Sequence, residues 1–239
     1  MPTVLLVRHG RTTANDSGVL AGRGPGVHLD EVGSAQAESV GRRLADLPLR
    51  RLVSSPLVRC RETLAAVRAQ QGAPPQVRTD AAITECGYGE WTGQPLKKLA
   101  KDPLWKTVQN QPSAVTFPDG EPMQQMQARA VAGIRRHDGE VEAEHGADAL
   151  WVAVSHGDVI KSVLADALGL HLDLFQRIVV EPGSVSVVRY TPGRPFVLHL
   201  NDHGSDLSVL RPRKRRGRRQ GGDAAVGGGA GAVRRGQTD

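Results

Sequence analysis

Two cysteines in 239 residues, Cys60 and Cys86, are too few for a disulfide framework and stand at no metal-like spacing. A disulfide-stapled secreted scaffold and a zinc ribbon are excluded together. Long apolar runs are also missing. The longest early one, Val4 to Val7, is far shorter than a signal-peptide core or the roughly 20 residues of a membrane span, so the expected location is the cytoplasm, with no membrane partner. Aromatic residues make up only 3% of the chain, and none falls within residues 211–239, where the excess basic charge lies. Nucleic acid would find no stacking platform there, only salt-sensitive phosphate contacts, so a nucleic-acid partner is not expected beyond non-specific contacts with that segment.

The remaining composition, 39% hydrophobic and 23% charged, is that of an ordinary globular chain of one domain, or at most two. The formal net charge of +6 is misleading as an average. Nine of the 31 Lys/Arg and two of the 25 Asp/Glu lie in 211–239, a balance of +7, which leaves residues 1–210 at −1. That Gly/Ala-rich, basic segment cannot bury enough apolar surface to offset chain entropy and is expected to stay an unfolded tail.

Within the folded part, Thr3–Val7 reads as a strand buried on both faces, and 34–47 as a helix with Ala37, Val40, Leu44 and Leu47 on one side. Leu52-Val53 marks a second strand, followed by a helix from Pro56 to about Ala69. Ala149–Val154 is the clearest buried strand and leads into a helix over 159–168. Residues 184–190 and 196–200 alternate as strands around a Pro192-Gly193 turn, and 121–144 reads as one long helix with Pro122 in its first turn. Residues 87–120, rich in Pro, Lys and Gln with weak periodicity, read as an insertion over the sheet. Alternating strands and helices predict an α/β fold whose ligands lie beyond the carboxyl ends of the strands.

That placement rule brings together the residues that follow each strand: Arg8-His9-Gly10 after the first, Arg59 one turn into the helix after the second, and Ser155-His156-Gly157 after the late strand. Two arginines and two histidines on one point repel unless they hold an anion, and guanidinium forks with imidazole donors suit a phosphate dianion. Helix N-termini add backbone N–H groups, and Asn15 a neutral donor. A neutral imidazole can also be a nucleophile toward phosphorus, splitting one displacement into two. Glu85, in Ile83–Trp91, is the best carboxyl to protonate a leaving oxygen and then activate water. The glycines of Gly22-Arg-Gly-Pro-Gly26 lack a following helix and Lys-Ser/Thr pair, so they read as turn chemistry rather than a nucleotide loop.

Arg8-His-Gly-Arg-Thr-Thr-Ala-Asn15, then Ser54-Ser-Pro-Leu-Val-Arg59, Glu85, Gly120-Glu121 and Ser155-His-Gly157, in that order, resemble the histidine phosphatase superfamily, also called phosphoglycerate mutase-like. The resemblance covers about residues 3–205 and implies a three-layer α/β/α sandwich with a mostly parallel sheet. It also implies His9 as the phosphorylated nucleophile, Glu85 as proton donor, and Arg8, Asn15, Arg59, His156 and the Gly157 backbone as phosphate ligands. No metal and no other cofactor is implied; the partner is a small phosphorylated substrate. The expected organisation is a catalytic domain over 1–207, with 87–120 covering the site, followed by the tail. Glu85 and His156 are 71 positions apart, which resembles the shorter phosphatase branch more than the glycolytic mutases with their longer insertion. A phosphatase is therefore expected ahead of a mutase of the same chemistry, and both ahead of a non-catalytic phospholigand or nucleic-acid binder. The Gly22–Gly26 loop departs from the family's usual Gly-Trp and Asp-containing turn.

Overall fold

A computed structural model of the chain describes residues 2–73 and 75–204, together with Gly227 and Gly229. In chain order it contains β1 (Thr3–Arg8), α1 (Thr13–Ser17), α2 (Glu31–Leu44), β2 (Leu49–Ser54), α3 (Val58–Ala69) and β3 (Gln76–Thr79). There follow α4 (Leu96–Leu99), α5 (Pro103–Asn110), α6 (Met123–His145), β4 (Leu150–Ser155), α7 (Gly157–Ala167), β5 (Val185–Tyr190) and β6 (Pro195–Asp202). Of the basic segment 211–239, only Gly227 and Gly229 lie within the described residues.

The strands form one six-stranded sheet in the order β3-β2-β4-β1-β5-β6. β3, β2, β4 and β1 run parallel, while β5 pairs antiparallel with β1 and β6 antiparallel with β5. Because alternate side chains of a strand point to opposite faces, β1 and β4 supply two cores at once. Val4, Leu6, Trp151 and Ala153 pack on the side of α6 and α7, and Leu5, Val7, Val152 and Val154 on the side of α2 and α3. This is the three-layer α/β/α sandwich, and it explains why these two strands are apolar throughout rather than alternating.

The helices follow from local signals. Asp30 caps α2 by accepting the Gly33 N–H at 2.7 Å, and Ala37, Val40, Gly41 and Leu44 are the face that α2 buries. α6 buries Met123, Met126, Ala130, Ile134 and Val141 at helical spacing, with Pro122 standing just outside as the cap residue rather than within the first turn. α3 begins at Val58, two residues later than Pro56 predicts, which places Arg59 in its first turn. Residues 87–120 carry α4, α5 and two short 3₁₀ turns, and send Tyr88, Trp91, Leu99, Val108, Val115 and Phe117 into the α6/α7-side core.

One close approach fixes the segment after β1. A Cβ on Gly33 would lie 1.9 Å from the Arg11 carbonyl oxygen, and one on Gly10 2.2 Å from that of Gly33. Backbone cannot yield as a flexible side chain does, so Gly33→Ala must push the 9–12 segment away from α2. The expected loss is about 1–3 kcal/mol, read as a lower urea midpoint with an unchanged m-value; an unchanged midpoint would contradict the contact.

Candidate active site

β1, β4 and β2 are parallel neighbours, so their carboxyl ends open side by side at the point where the strand order reverses. Arg8 pairs in register with Ser155. Past the sheet the pairing continues in two bonds, from His9 N–H to the Ser155 carbonyl and from Ser55 N–H to that of Val154, both 3.0 Å. The residues that follow the three strands are thereby held within reach of one another.

Arg59 occupies the centre. Its Nε–H donates to His9 Nε2 at 3.2 Å, and its Nη2 donates to His156 Nδ1 at 3.1 Å and to the Gly22 carbonyl at 2.8 Å. The two imidazole rings lie 5.2 Å apart at their centroids, inclined by 63°. His9 Nδ1 lies 2.7 Å from its neighbour's carbonyl, Gly10 O, and donates to it, which leaves Nε2 with the lone pair. Arg59 donates to His156 Nδ1, so His156 carries its proton on Nε2 and donates to Ser55 Oγ at 2.7 Å. Both rings are buried, and both pKa values fall well below the usual imidazole range. For His9 burial is the largest cause, then Arg59 and Arg8; for His156 it is burial, then Arg59 and the neighbouring His9. Arg8, fully buried, is lowered to about 10 by burial against the opposing pull of Glu85 and Asp158; its Nη1 donates to the Val180 carbonyl at 2.8 Å.

Glu85 faces this cluster, with Oε2 3.9 Å from His156 Nδ1 and Oε1 accepting the Cys86 N–H at 3.0 Å. Burial first, and the Asp158 charge second, push its carboxyl up to about 7 against the pull of Arg59 and Arg8. Its backbone is clamped from α6 and from the Gly22–Gly26 loop. Arg129 donates to the carbonyls of Ala82, Thr84 and Glu85, Arg23 also donates to that of Glu85, and Glu121 accepts from both arginines and from Gly87 N–H. Arg129→Met should strip the Ala82 and Thr84 carbonyls of this donor, leave that of Glu85 to Arg23 alone, and let Glu85 drift. A displacement of about 1 Å costs on the order of 10²-fold in rate, so the expected signature is a lower kcat with KM nearly unchanged. An equal rise in KM would mean that the cleft itself had deformed.

Asn15 lines the same cleft. Its side-chain oxygen accepts from the backbone N–H and hydroxyl of Thr12, which leaves the amide N–H₂ as its donor group. Gly157 opens α7, with His156 as N-cap and no side-chain cap bond, so first-turn N–H groups of an eleven-residue helix start at this position. Arg8, His9, Asn15, Arg59, Glu85, His156 and Gly157 therefore converge on one end of the sheet. Lys97, Lys98 and Lys106 are exposed, and Trp105 stacks on Trp91 at 6.0 Å. Sequence reasoning missed Ser55, Thr63, whose hydroxyl accepts Gly10 N–H at 3.1 Å, and the buried pair of Tyr88 OH on Asp158 Oδ2 at 2.7 Å. Asp158 stands two residues beyond His156, but nothing in the linear pattern ties it to Tyr88. Among the described residues no cluster of three His, Cys, Asp or Glu could hold a metal ion, and no helix is long and apolar enough to cross a membrane.

The sequence profile of the histidine phosphatase superfamily (branch 1) matches residues 4–203. The chain belongs to this superfamily. Fructose-2,6-bisphosphatase TIGAR of Xenopus tropicalis is 33% identical over 127 residues, which is 52% of this chain and 46% of that protein. The probable phosphoglycerate mutase GpmB of Yersinia pestis is 29% identical over 192 residues, 80% of this chain and 86% of that one. Among solved structures, Bacillus stearothermophilus YhfR superposes with a TM-score of 0.74 at 25% identity, covering 83% of this chain and 96% of that one. The chain spans about half the length of the amphibian relative. Phosphatases and mutases both occur in the histidine phosphatase superfamily, and phosphoryl transfer is the chemistry they share.

Proposed function

We propose that this histidine phosphatase superfamily member is a phosphomonoesterase that hydrolyses a small phosphorylated metabolite through phospho-His9. The observation that carries the reading is that one cleft is lined by both His9, whose Nε2 accepts from Arg59, and the buried carboxyl of Glu85, which burial pushes up to about 7.

In the first step the substrate's phosphoryl group takes over the partners of Arg59, with Arg8, the Asn15 amide and the α7 N-terminus as further donors. His9 Nε2 forms the N–P bond, the ester P–O bond breaks, and Glu85 passes its proton to the departing oxygen. In the second step the Glu85 carboxylate takes a proton from water as the water oxygen attacks phosphorus. The N–P electrons return to Nε2 and phosphate leaves. A dianion in the cleft opposes the local field, so His156, kept neutral by burial first and Arg59 second in the resting site, gains affinity for a proton on Nδ1 and becomes a donor to the phosphoryl oxygens.

Hydrolysis is favoured over mutase chemistry because only 71 positions separate Glu85 from His156, and a compact cover admits water to the phosphohistidine. The mutase reading draws on the likeness to the Yersinia protein. The test is alkaline-quench trapping after mixing with a panel of sugar bisphosphates, phosphoglycerates and aryl phosphate in chelator. The proposal expects an acid-labile phosphoenzyme and stoichiometric free phosphate. Isomerised product without phosphate, dependent on a bisphosphate primer, would replace it with the mutase.

A further inference from the structure

Two residues from the far end of the chain lie in the cleft. Arg8 Nη2 donates to the Gly229 carbonyl at 2.7 Å and to that of Gly227 at 3.2 Å, and Gly227 N–H donates to Asp158 Oδ2 at 3.0 Å. Both glycines line the cavity that His9, Asn15, Arg59 and Glu85 also line. With them present that cavity measures only about 20 Å³, room for about one water, and a phosphoryl group does not fit. From these contacts we infer that the backbone at Gly227 and Gly229 is a built-in competitor for the phosphate site, one that a phosphorylated ligand must displace. The inference rests on reading this cleft as the phosphate site.

The contacts have the chemistry of a pseudo-ligand. Two carbonyl oxygens take guanidinium hydrogens that a phosphate would take, and the one N–H is received by Asp158, a buried carboxylate that the proposed phosphoryl chemistry does not use. The residue type matters too. Gly227 and Gly229 have φ of 70° and 58°, in the left-handed region, and a Cβ at Gly227 would stand 2.9 Å from Leu20 Cδ1. A neutral backbone answers the charge of Arg8 only with dipoles, whereas a dianion pairs with Arg8 and Arg59 together, so the occupant yields to phosphate monoesters more readily than to neutral or singly charged molecules. Being part of the same chain, it competes at a fixed effective concentration, typically mM. It therefore raises the apparent KM of every substrate by one factor and leaves kcat alone.

The experiment uses the full chain and the double variant Gly227→Val/Gly229→Val, in which a β-branched residue is refused by the left-handed backbone. Inorganic phosphate binding is measured by calorimetry, and aryl phosphate turnover by phosphate release. The expected result is phosphate affinity tighter by roughly tenfold, the equivalent of a few lost hydrogen bonds, with KM lowered by the same factor and kcat unchanged. Phosphate affinity that is unchanged or weaker in the variant overturns the inference. Tighter phosphate binding with no turnover in either chain upholds the competitor and removes the phosphatase reading, so the two fail separately.

Discussion

His9→Ala is expected to turn over aryl phosphate at least about 10³-fold more slowly than the parent chain and to form no trappable phosphoenzyme. The size follows from what the side chain alone supplies. Arg8, Arg59 and Glu85 remain, so a phosphate monoester still binds and still meets a proton donor, but the displacement must then proceed in one step with a water that no group has positioned. Among the described residues nothing else in the cleft substitutes for Nε2: the second imidazole, His156, has its Nε2 proton on Ser55 and its Nδ1 under Arg59, and its ring centroid lies 5.2 Å away. The variant should also bind inorganic phosphate at least as tightly as the parent, because the alanine removes an imidazole that competes for the Arg59 Nε–H. Activity within tenfold of the parent in phosphate-release assays would rule out a covalent route through this residue.

Much of this arrangement was legible in the linear pattern because β1 and β4 are apolar on both faces and each ends in a polar, glycine-containing segment. Once two such strands are read as parallel neighbours, the placement of His9 beside His156 follows. β3 was not legible: Gln-Val-Arg-Thr lies at the sheet edge, mostly exposed, and carries no apolar alternation. Nor was α1, five residues with no buried position, held by a reciprocal cap between Thr12 and Asn15. The helices within 87–120 are short, and their apolar residues face a core assembled from distant segments, so no period emerges over a window of that length. Ser55, Thr63 and Tyr88 escaped for a different reason. Each acts through a hydrogen bond to a residue at least 50 positions away, and such pairings exist only after the fold has been built. The same holds for Arg23 and Arg129, surface-type residues by composition that turn inward onto the carbonyls of one loop.

Glu85→Gln separates the proton from the fold. The amide keeps an oxygen for Cys86 N–H but cannot donate a proton to an alkoxide, so the rate should fall by about 10²–10⁴-fold on alkyl phosphates and by less on aryl phosphates, whose leaving oxygen needs less help. The pH dependence fixes the sign. In the parent chain kcat should decline above about pH 7 as the carboxyl ionises, while the acid limb lies well below 6.5 because His9 stays neutral there. The Gln variant should lose the alkaline limb and keep the acid one. Stability runs the same way. A carboxyl raised from 4.5 when unfolded to about 7 when folded makes the native state bind the extra proton between those values, so its contribution is present at low pH and is lost as pH rises through 7. At 1.36 kcal/mol per pH unit the loss between pH 4.5 and 8 is about 3 kcal/mol, and it is absent from the Gln variant. Urea unfolding at pH 5 and pH 8 should therefore show the variant gaining on the parent as pH rises. A gap that stays constant would mean that Glu85 is ionised at neutral pH and that the departing oxygen takes its proton from another group.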